Sequence, residues 1–221
     1  MNAAAPRLLA ISDRAGLAEP FATWLARLGP AGADLQLREK HLDDRALHRL
    51  ARTARTLLPP GSRLLINGRA DLAIATGAEG VHLPASGLPA APLRALTERR
   101  DRRLLIGRST HAPDEVAAAR DEGVDYVTFG PVYPTPSKAR YGAPPGLEGL
   151  CRASALGVPV LALGGVTADR VAEVAAAGAA GVAAIRACRD PGELDRLAAA
   201  VRAAFGAAGA VAAMRGAWGR G

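Results

Sequence analysis

The sequence predicts a single (β/α)₈ barrel, the TIM-barrel fold, from three observations. Short apolar runs alternate with helical patterns along nearly the whole chain, and eight such runs are present. Each run has the length of a buried parallel strand. A chain of 221 residues suits one barrel of this kind. An open doubly wound sheet is the alternative, but no Gly-x-Gly-x-x-Gly fingerprint follows the first run, which ends in Ser12, Asp13 and Arg14.

The predicted strands are separated by segments with helical periodicity, an order typical of a parallel sheet. Eight repeats of this unit favour a closed barrel over an open sheet. The strands are predicted at 8–11, 35–37, 63–66, 80–83, 104–106, 126–129, 158–163 and 181–185.

Several helices have recognisable ends. Asp43 is a candidate N-cap of the second helix, and Thr167 is a candidate N-cap of the seventh. Gly178 can end the seventh helix in the left-handed conformation. Asp190 and Glu193 form a capping-box pattern at the start of the last helix. We therefore place one barrel domain at 1–206 and a Gly-, Ala- and Arg-rich tail at 207–221.

Composition narrows the class of protein. Apolar residues make up 49 % of the chain, enough for a sizeable core without disulfides. The two cysteines, Cys151 and Cys188, fit neither a disulfide framework nor a metal site, so a cytoplasmic location is expected. No apolar run approaches the roughly 20 residues of a membrane span, and residues 1–6 do not resemble a signal peptide.

The net charge of +7 raises the question of nucleic acid as a partner. The basic residues are scattered and no basic run is interleaved with aromatics, so we favour a small anionic ligand instead. Membrane binding is not expected, and a homo-oligomer is left open.

The rarest residues are concentrated at predicted strand ends. Only two of the 28 basic residues are lysines, Lys40 and Lys138. Gln36 is the only glutamine, and Asn67 is the only asparagine besides Asn2. In a chain biased towards Arg, Ala and Gly, these choices mark positions where side-chain chemistry matters.

The carboxyl ends of barrel strands carry the active site in this fold. After the second strand, alternation places Gln36, Arg38 and Lys40 on one side, towards the barrel interior and mouth. An amide, a guanidinium and an ammonium group that converge on one point suit a multiply charged oxyanion. A structural polar network inside the barrel is the alternative.

Other strand ends add polar groups. Asn67 follows the third strand, and Ser109 and His111 follow the fifth. The loop after the sixth strand is rich in proline and carries three candidate ligand-binding residues, which are Thr135, Ser137 and Lys138. This composition resembles that of a loop that grips phosphate.

The last two strand ends are candidates for a phosphate site. In many barrels, phosphate lies between the loops after strands seven and eight and is bound by backbone N–H groups. Gly164 and Gly165 follow the seventh strand and permit a close approach of the backbone. Ala184, Ile185 and Arg186 lie at the end of the eighth strand.

Together these segments resemble the thiamine phosphate synthase and thiazole tautomerase superfamily from Leu8 to about Ala187. The matching segments are Gln-Leu-Arg-Glu-Lys at 36–40, Asn-Gly-Arg-Ala-Asp-Leu-Ala at 67–73, Val-His-Leu-Pro at 81–84, Gly-Arg-Ser-Thr-His at 107–111, Asp-Tyr-Val-Thr-Phe-Gly-Pro-Val-Tyr-Pro-Thr-Pro-Ser-Lys at 125–138, Ala-Leu-Gly-Gly-Val at 162–166 and Gly-Val-Ala-Ala-Ile at 181–185. The resemblance implies a (β/α)₈ barrel that binds a small phosphorylated thiazole.

Departures from the synthase pattern favour the tautomerase branch. Synthases of the superfamily join a pyrimidine diphosphate to a thiazole phosphate, and they position Mg²⁺ with two aspartates. This chain has Gly68 and Gly87 at those positions, and Arg186 where synthases tend to have serine. We therefore expect a metal-independent tautomerase that makes the aromatic isomer of a carboxythiazole phosphate, without a cofactor.

The catalytic assignment is a hypothesis within this expectation. The loop histidine of a known tautomerase is replaced here by Pro131, so His111 is the candidate proton shuttle, with Lys138 as the second candidate. Two alternatives stay open. The first is a thiamine phosphate synthase, which would require Mg²⁺, and the second is a non-catalytic protein that binds thiazole or thiamine phosphate.

Overall fold

The computed structural model describes residues 4–99, 103–135 and 143–206, and it confirms the predicted barrel. Eight parallel strands form a closed sheet in sequential order, and β8 pairs with β1. The strands are β1 (Leu8–Ile11), β2 (Asp34–Leu37), β3 (Leu64–Asn67), β4 (Gly80–Leu83), β5 (Leu105–Thr110), β6 (Tyr126–Phe129), β7 (Val160–Leu163) and β8 (Gly181–Ala184).

Eight α-helices follow the strands and surround the barrel. They are α1 (Phe21–Ala31), α2 (Asp44–Leu57), α3 (Ala70–Thr76), α4 (Ala90–Glu98), α5 (Pro113–Asp121), α6 (Gly146–Ser154), α7 (Val171–Ala176) and α8 (Pro191–Phe205). No helix in these ranges is long and apolar enough to cross a membrane. The predicted tail at 207–221 lies outside the described residues.

The helix ends agree with the sequence in three cases and differ in one. Gly178 follows the end of α7 with a φ of +92°, as predicted. The Asp43 carboxylate accepts from the Ala46 N–H at 2.7 Å, and that of Asp190 accepts from the Glu193 N–H at 2.9 Å. Thr167 makes no side-chain cap bond. It precedes a 3₁₀ turn at Ala168–Arg170, so α7 begins later than predicted.

Strand β5 extends four residues beyond its predicted end. Gly107 and Arg108 interrupt the apolar run, but both pair with β6 in the sheet. Ser109 therefore lies within the strand, and His111 directly follows it.

The apolar core has two layers. The larger layer fills the space between strands and helices. The smaller one fills the barrel itself and consists of Leu9, Ile11, Leu65, Leu105, Tyr126, Leu161 and Ala183. This inner layer closes the barrel from below, as side chains do in folds of this type.

Carboxylates satisfy backbone N–H groups at the amino ends of the strands. Asp34 accepts from the Arg63 N–H at 2.8 Å, and Glu79 accepts from the Leu64 N–H at 2.8 Å. Asp125 accepts from the Ile106 N–H at 2.7 Å. Each of these carboxylates also pairs with an arginine, so this end of the barrel uses its acidic residues structurally.

Candidate active site

A cavity of about 620 Å³ opens at the carboxyl ends of the strands. Its walls come from all eight strands or the loops that follow them. Every described residue predicted for the site lines this cavity: Gln36, Arg38, Lys40, Asn67, Ser109, His111, Thr135, Gly164, Gly165, Ala184, Ile185 and Arg186. The two remaining predicted residues, Ser137 and Lys138, lie outside the described residues.

Two buried polar groups in the wall have no partner in the described part of the chain. Gln36 is 1 % exposed, and its Nε2 makes no hydrogen bond there. The same holds for the Oγ1 of Thr135, which is 9 % exposed. A buried unpaired donor costs about 1–3 kcal/mol. A polar ligand in the cavity would offset this cost, so both groups point to a binding site.

The end of β2 carries positive charge without a matching carboxylate. Within the described ranges, the half-buried guanidinium of Arg38 makes no ion pair. Desolvation lowers the pKa of Arg38, and the charge of Glu39 partly offsets this effect. The Glu39 carboxylate itself accepts from the Ser12 hydroxyl at 2.7 Å, so it is held by another partner. With the exposed Lys40, Arg38 makes the cavity attractive to anions.

A chain of buried hydrogen bonds leads into the cavity from its floor. The His82 Nδ1 lies 3.0 Å from the Tyr126 hydroxyl, and its Nε2 lies 3.0 Å from the Ser109 Oγ. In the described structure, His82 is the acceptor available to the Tyr126 O–H. The Nε2–H of His82 therefore donates to Ser109, and the Ser109 O–H is free to donate to a ligand.

The sequence alone did not assign a role to His82. Its position in β4 is also compatible with a structural histidine, and its partners are far apart in the sequence. The alternation of side chains along β4 could have indicated that His82 faces the barrel interior, because it occupies an inward position of its strand as Gln36 does in β2.

We predict that His82 makes stability fall at acidic pH. Burial, with a smaller contribution from the charge of Arg38, lowers the pKa of His82 to about 3 from 6.5. The unfolded chain therefore binds a proton below pH 6.5 that the folded chain excludes. This contribution to stability is complete above pH 6.5 and is lost as the pH falls towards 3.

Between about pH 7 and pH 5, wild type should lose roughly 2 kcal/mol more unfolding free energy than His82→Gln. Denaturant unfolding at both pH values measures this difference. The substitution His41→Gln, at an exposed histidine, is the control and should behave as wild type. Parallel losses in wild type and His82→Gln would disprove the assignment.

His111 is oriented by two contacts at the cavity mouth. Its Nδ1 lies 2.5 Å from the Gly130 carbonyl oxygen, and its backbone N–H donates to the Glu115 carboxylate at 2.7 Å. Since a carbonyl only accepts, Nδ1 carries the proton, and the unprotonated Nε2 is left to accept from a ligand.

The loop after β7 needs both of its glycines for packing. Gly164 has a φ of +94° and Gly165 a φ of +71°. A Cβ on Gly164 would lie 2.6 Å from the Pro131 Cα, and one on Gly165 would lie 2.7 Å from the Tyr133 Cβ. The two glycines therefore allow the loop after β6 to pack against this loop. This role is additional to the predicted close approach of the backbone to phosphate.

Backbone N–H groups of the last two loops are available to an anion. Within the described ranges, those of Gly165 and Val166 after β7, and of Arg186 and Ala187 after β8, make no hydrogen bond. All four residues line the cavity. Successive free N–H groups of this kind form concave anion-binding sites.

The same cavity does not suit a magnesium ion held by two aspartates. The described residues contain no group of three or more His, Cys, Asp or Glu side chains that could hold a metal. Gly68, at one of the two positions, has a φ of +68°, and Gly87 packs on the Pro84 carbonyl. The lining residue Glu193 is a carboxylate, but it belongs to α8 and not to the β3 or β4 loops.

Comparison with known proteins gives a consistent result. The family model described as thiamine monophosphate synthase matches residues 8–188. A protein of Geobacter sulfurreducens is 49 % identical over 144 residues, which cover 64 % of this chain and 66 % of that relative. A thiamine-phosphate synthase of Anaeromyxobacter dehalogenans is 39 % identical over 86 % of this chain and 85 % of its own length.

A solved structure agrees with these relatives. Thiamine phosphate pyrophosphorylase from Pyrococcus furiosus superposes with a TM-score of 0.79 and 28 % identity, over 90 % of this chain and 97 % of that one.

These comparisons show that the predicted tautomerase, an isomerase, is wrong, because the relatives are named for the synthase reaction, a transfer. The prediction rested on Gly68 and Gly87. The absence of two carboxylates does not by itself identify the reaction. The proton-shuttle roles given to His111 and Lys138 belonged to that prediction and are withdrawn with it.

Proposed function

This chain belongs to the thiamine monophosphate synthase family, and we propose on that premise that it joins a pyrimidine diphosphate to a thiazole phosphate. In this reaction the bond between the pyrimidine-bearing carbon and the diphosphate oxygen breaks. A new bond forms from that carbon to the thiazole nitrogen, and pyrophosphate leaves. The enzyme is thus a transferase of thiamine biosynthesis that acts on small phosphorylated substrates.

The observation that carries this proposal is the presence of two different anion-binding regions in one cavity. The first region consists of the side chains of Arg38 and Lys40 at the end of β2. The second consists of free backbone N–H groups after β7 and β8. Two regions are needed because the reaction brings together two substrates that each carry phosphate.

We assign the diphosphate to the β2 region. Negative charge grows on the diphosphate as its bond to carbon breaks, and fixed cations stabilise such charge in the transition state. Arg38 suits this task because its guanidinium is already partly desolvated and has no carboxylate partner among the described residues. The unpaired Nε2 of Gln36 lies on the same strand and can donate to the same group.

We assign the phosphate of the thiazole to the free backbone N–H groups of the β7 and β8 loops. The Ser109 hydroxyl, which His82 orients as a donor, and Thr135 lie between the two regions in strand order and are candidates for the pyrimidine or the leaving group. Asn67 and His111 complete the polar wall. These roles are predictions from position.

Members of the family typically use Mg²⁺, which helps to neutralise the diphosphate. The residues of this chain do not fit that ion, as described above, so we derive no step that depends on it.

Incubation of the purified protein with both substrates tests the proposal. We expect release of pyrophosphate and formation of thiamine phosphate, identified by mass spectrometry, and neither product when one substrate is omitted. Each reaction should be run with Mg²⁺ and with EDTA. Absence of product in both conditions would refute synthase activity, and binding without turnover would support a ligand-binding protein instead.

The predicted cytoplasmic location and the lack of nucleic-acid partners stay predictions, as does the separate tail at 207–221.

A further inference from the structure

We infer that this chain recognises the diphosphate without a divalent cation, and that Arg186 joins Arg38 and Lys40 to supply the missing positive charge. The inference rests on the proposed function, because it concerns the same cavity. The side chains that line this cavity do not fit the Mg²⁺ ion that the family typically uses.

The carboxylates nearest to Gly68 are engaged elsewhere. Asp71 and Asp44 both pair with Arg69, and the Arg69 Nη2 lies 2.7 Å from the Asp71 Oδ2. None of these three residues lines the cavity. The β3 loop therefore presents the amide of Asn67 and no carboxylate to a ligand.

Two acidic residues close to the end of β1 and β2 are also engaged. Glu39 accepts from Ser12 and from the Arg14 N–H, and Asp13 pairs with Arg189. Beyond the described ranges, the sequence contains a single acidic residue, Asp101, which precedes β5. Residues 136–142 contain two basic residues and no acidic one. Among the described residues that line the cavity, Glu193 of α8 is the one carboxylate, so groups that could hold a dication there are scarce.

Cations, by contrast, face the cavity from two sides of β1. Arg38 and Lys40 follow β2, and Arg186 follows β8; these two strands are the neighbours of β1 in the barrel. Arg186 is exposed and, within the described part of the chain, makes no ion pair. An unpaired arginine offers several N–H donors to phosphate oxygens in addition to its charge.

These observations explain how glycines can replace the two aspartates. Aspartates at the mouth would repel a diphosphate unless a dication lay between them. With Gly68 and Gly87 in their place, no negative charge has to be neutralised there, and arginine side chains can contact the phosphates directly. Direct contact also removes the need to strip water from a strongly hydrated ion.

Titration calorimetry with inorganic pyrophosphate tests the inference without depending on turnover. We expect wild type to bind with the same affinity, within about twofold, in EDTA and in Mg²⁺. Arg186→Ala should bind roughly 10- to 100-fold more weakly in both conditions, since charge-assisted hydrogen bonds are lost. Arg52→Ala, an exposed position on α2 outside the cavity, removes the same charge and should bind as wild type.

The outcomes separate this inference from the proposed function. Binding by wild type only when Mg²⁺ is present would overturn the inference and leave the proposed function standing. Unchanged affinity in Arg186→Ala would overturn the role given to Arg186. Absence of pyrophosphate binding in both conditions would overturn the inference and the diphosphate site, while product formation from both substrates decides the proposed function separately.

A pair of substitutions at Gly68 provides a second test. A Cβ there would lie 3.7 Å from the nearest Pro84 atoms, so both Asp and Asn can be accommodated, and both must adopt the same positive φ. Gly68→Asp should bind pyrophosphate several-fold more weakly than Gly68→Asn in EDTA, and Mg²⁺ should restore it. Equal affinity of the two variants in EDTA would contradict the inference.

Discussion

Replacement of Arg38 by glutamine is expected to lower kcat/KM for pyrophosphate release by about 10²- to 10³-fold, the usual effect of removing one transition-state donor. The guanidinium is already partly desolvated and unpaired in the described structure, so little reorganisation is needed before it contacts the leaving group. Because that charge is needed most when the carbon–oxygen bond breaks, kcat should fall more than KM rises.

Two further variants make this expectation specific. Arg38→Lys keeps the charge but loses the planar pair of donors, so it should recover part of the lost rate. Arg52→Gln should leave the rate unchanged. A rate near that of wild type in Arg38→Gln would remove Arg38 from the reaction and would move the diphosphate to another part of the cavity.

Gly165→Ala is expected to abolish useful binding of thiazole phosphate, with affinity lowered by about 100-fold or more. The methyl group would lie 2.7 Å from the Tyr133 Cβ, and Tyr133 N–H donates to the Gly164 carbonyl at 3.0 Å. The loops after β6 and β7 would have to separate, and the free N–H groups would lose their arrangement. Loss of about 3 kcal/mol of binding energy corresponds to this change in affinity.

The matched control is Gly157→Ala. Gly157 has a φ of +82°, so alanine there meets the same backbone preference, but no atom lies within 4 Å of the added Cβ. Both variants should lose about 1–2 kcal/mol of unfolding free energy from the left-handed conformation. Calorimetry with thiazole phosphate should show weakened binding in Gly165→Ala alone. Equal affinities would show that the β7 loop is not part of the phosphate site.

The fold follows from the sequence because its determinants are local. A buried parallel strand needs a short apolar run, and a helix start needs a residue such as Asp43 whose carboxylate reaches a nearby N–H. The positions of Gln36, Arg38 and Lys40 in the wall follow from alternation along one strand. Two predicted element boundaries are wrong. The end of β5 lies beyond Gly107, because pairing with β6 continues the strand there, and α7 begins later than predicted, because a 3₁₀ turn follows Thr167.

Contacts between distant parts of the chain were not predictable in the same way. The link from Tyr126 through His82 to Ser109 joins three strands, and its polarity depends on a tautomer that only the surroundings determine. The packing of Gly165 against Tyr133 likewise depends on the path of another loop. The choice of reaction failed because it was inferred from residues that are missing.

The inner core layer has a consequence for the order of events. Since Leu9, Leu65, Leu105, Tyr126 and Leu161 close the barrel from below, substrates and products share one opening. A molecule held near Gln36 and His82 cannot leave while another occupies the mouth above it. The product that lies nearer the mouth must therefore depart first. Product inhibition patterns should reflect this order of release.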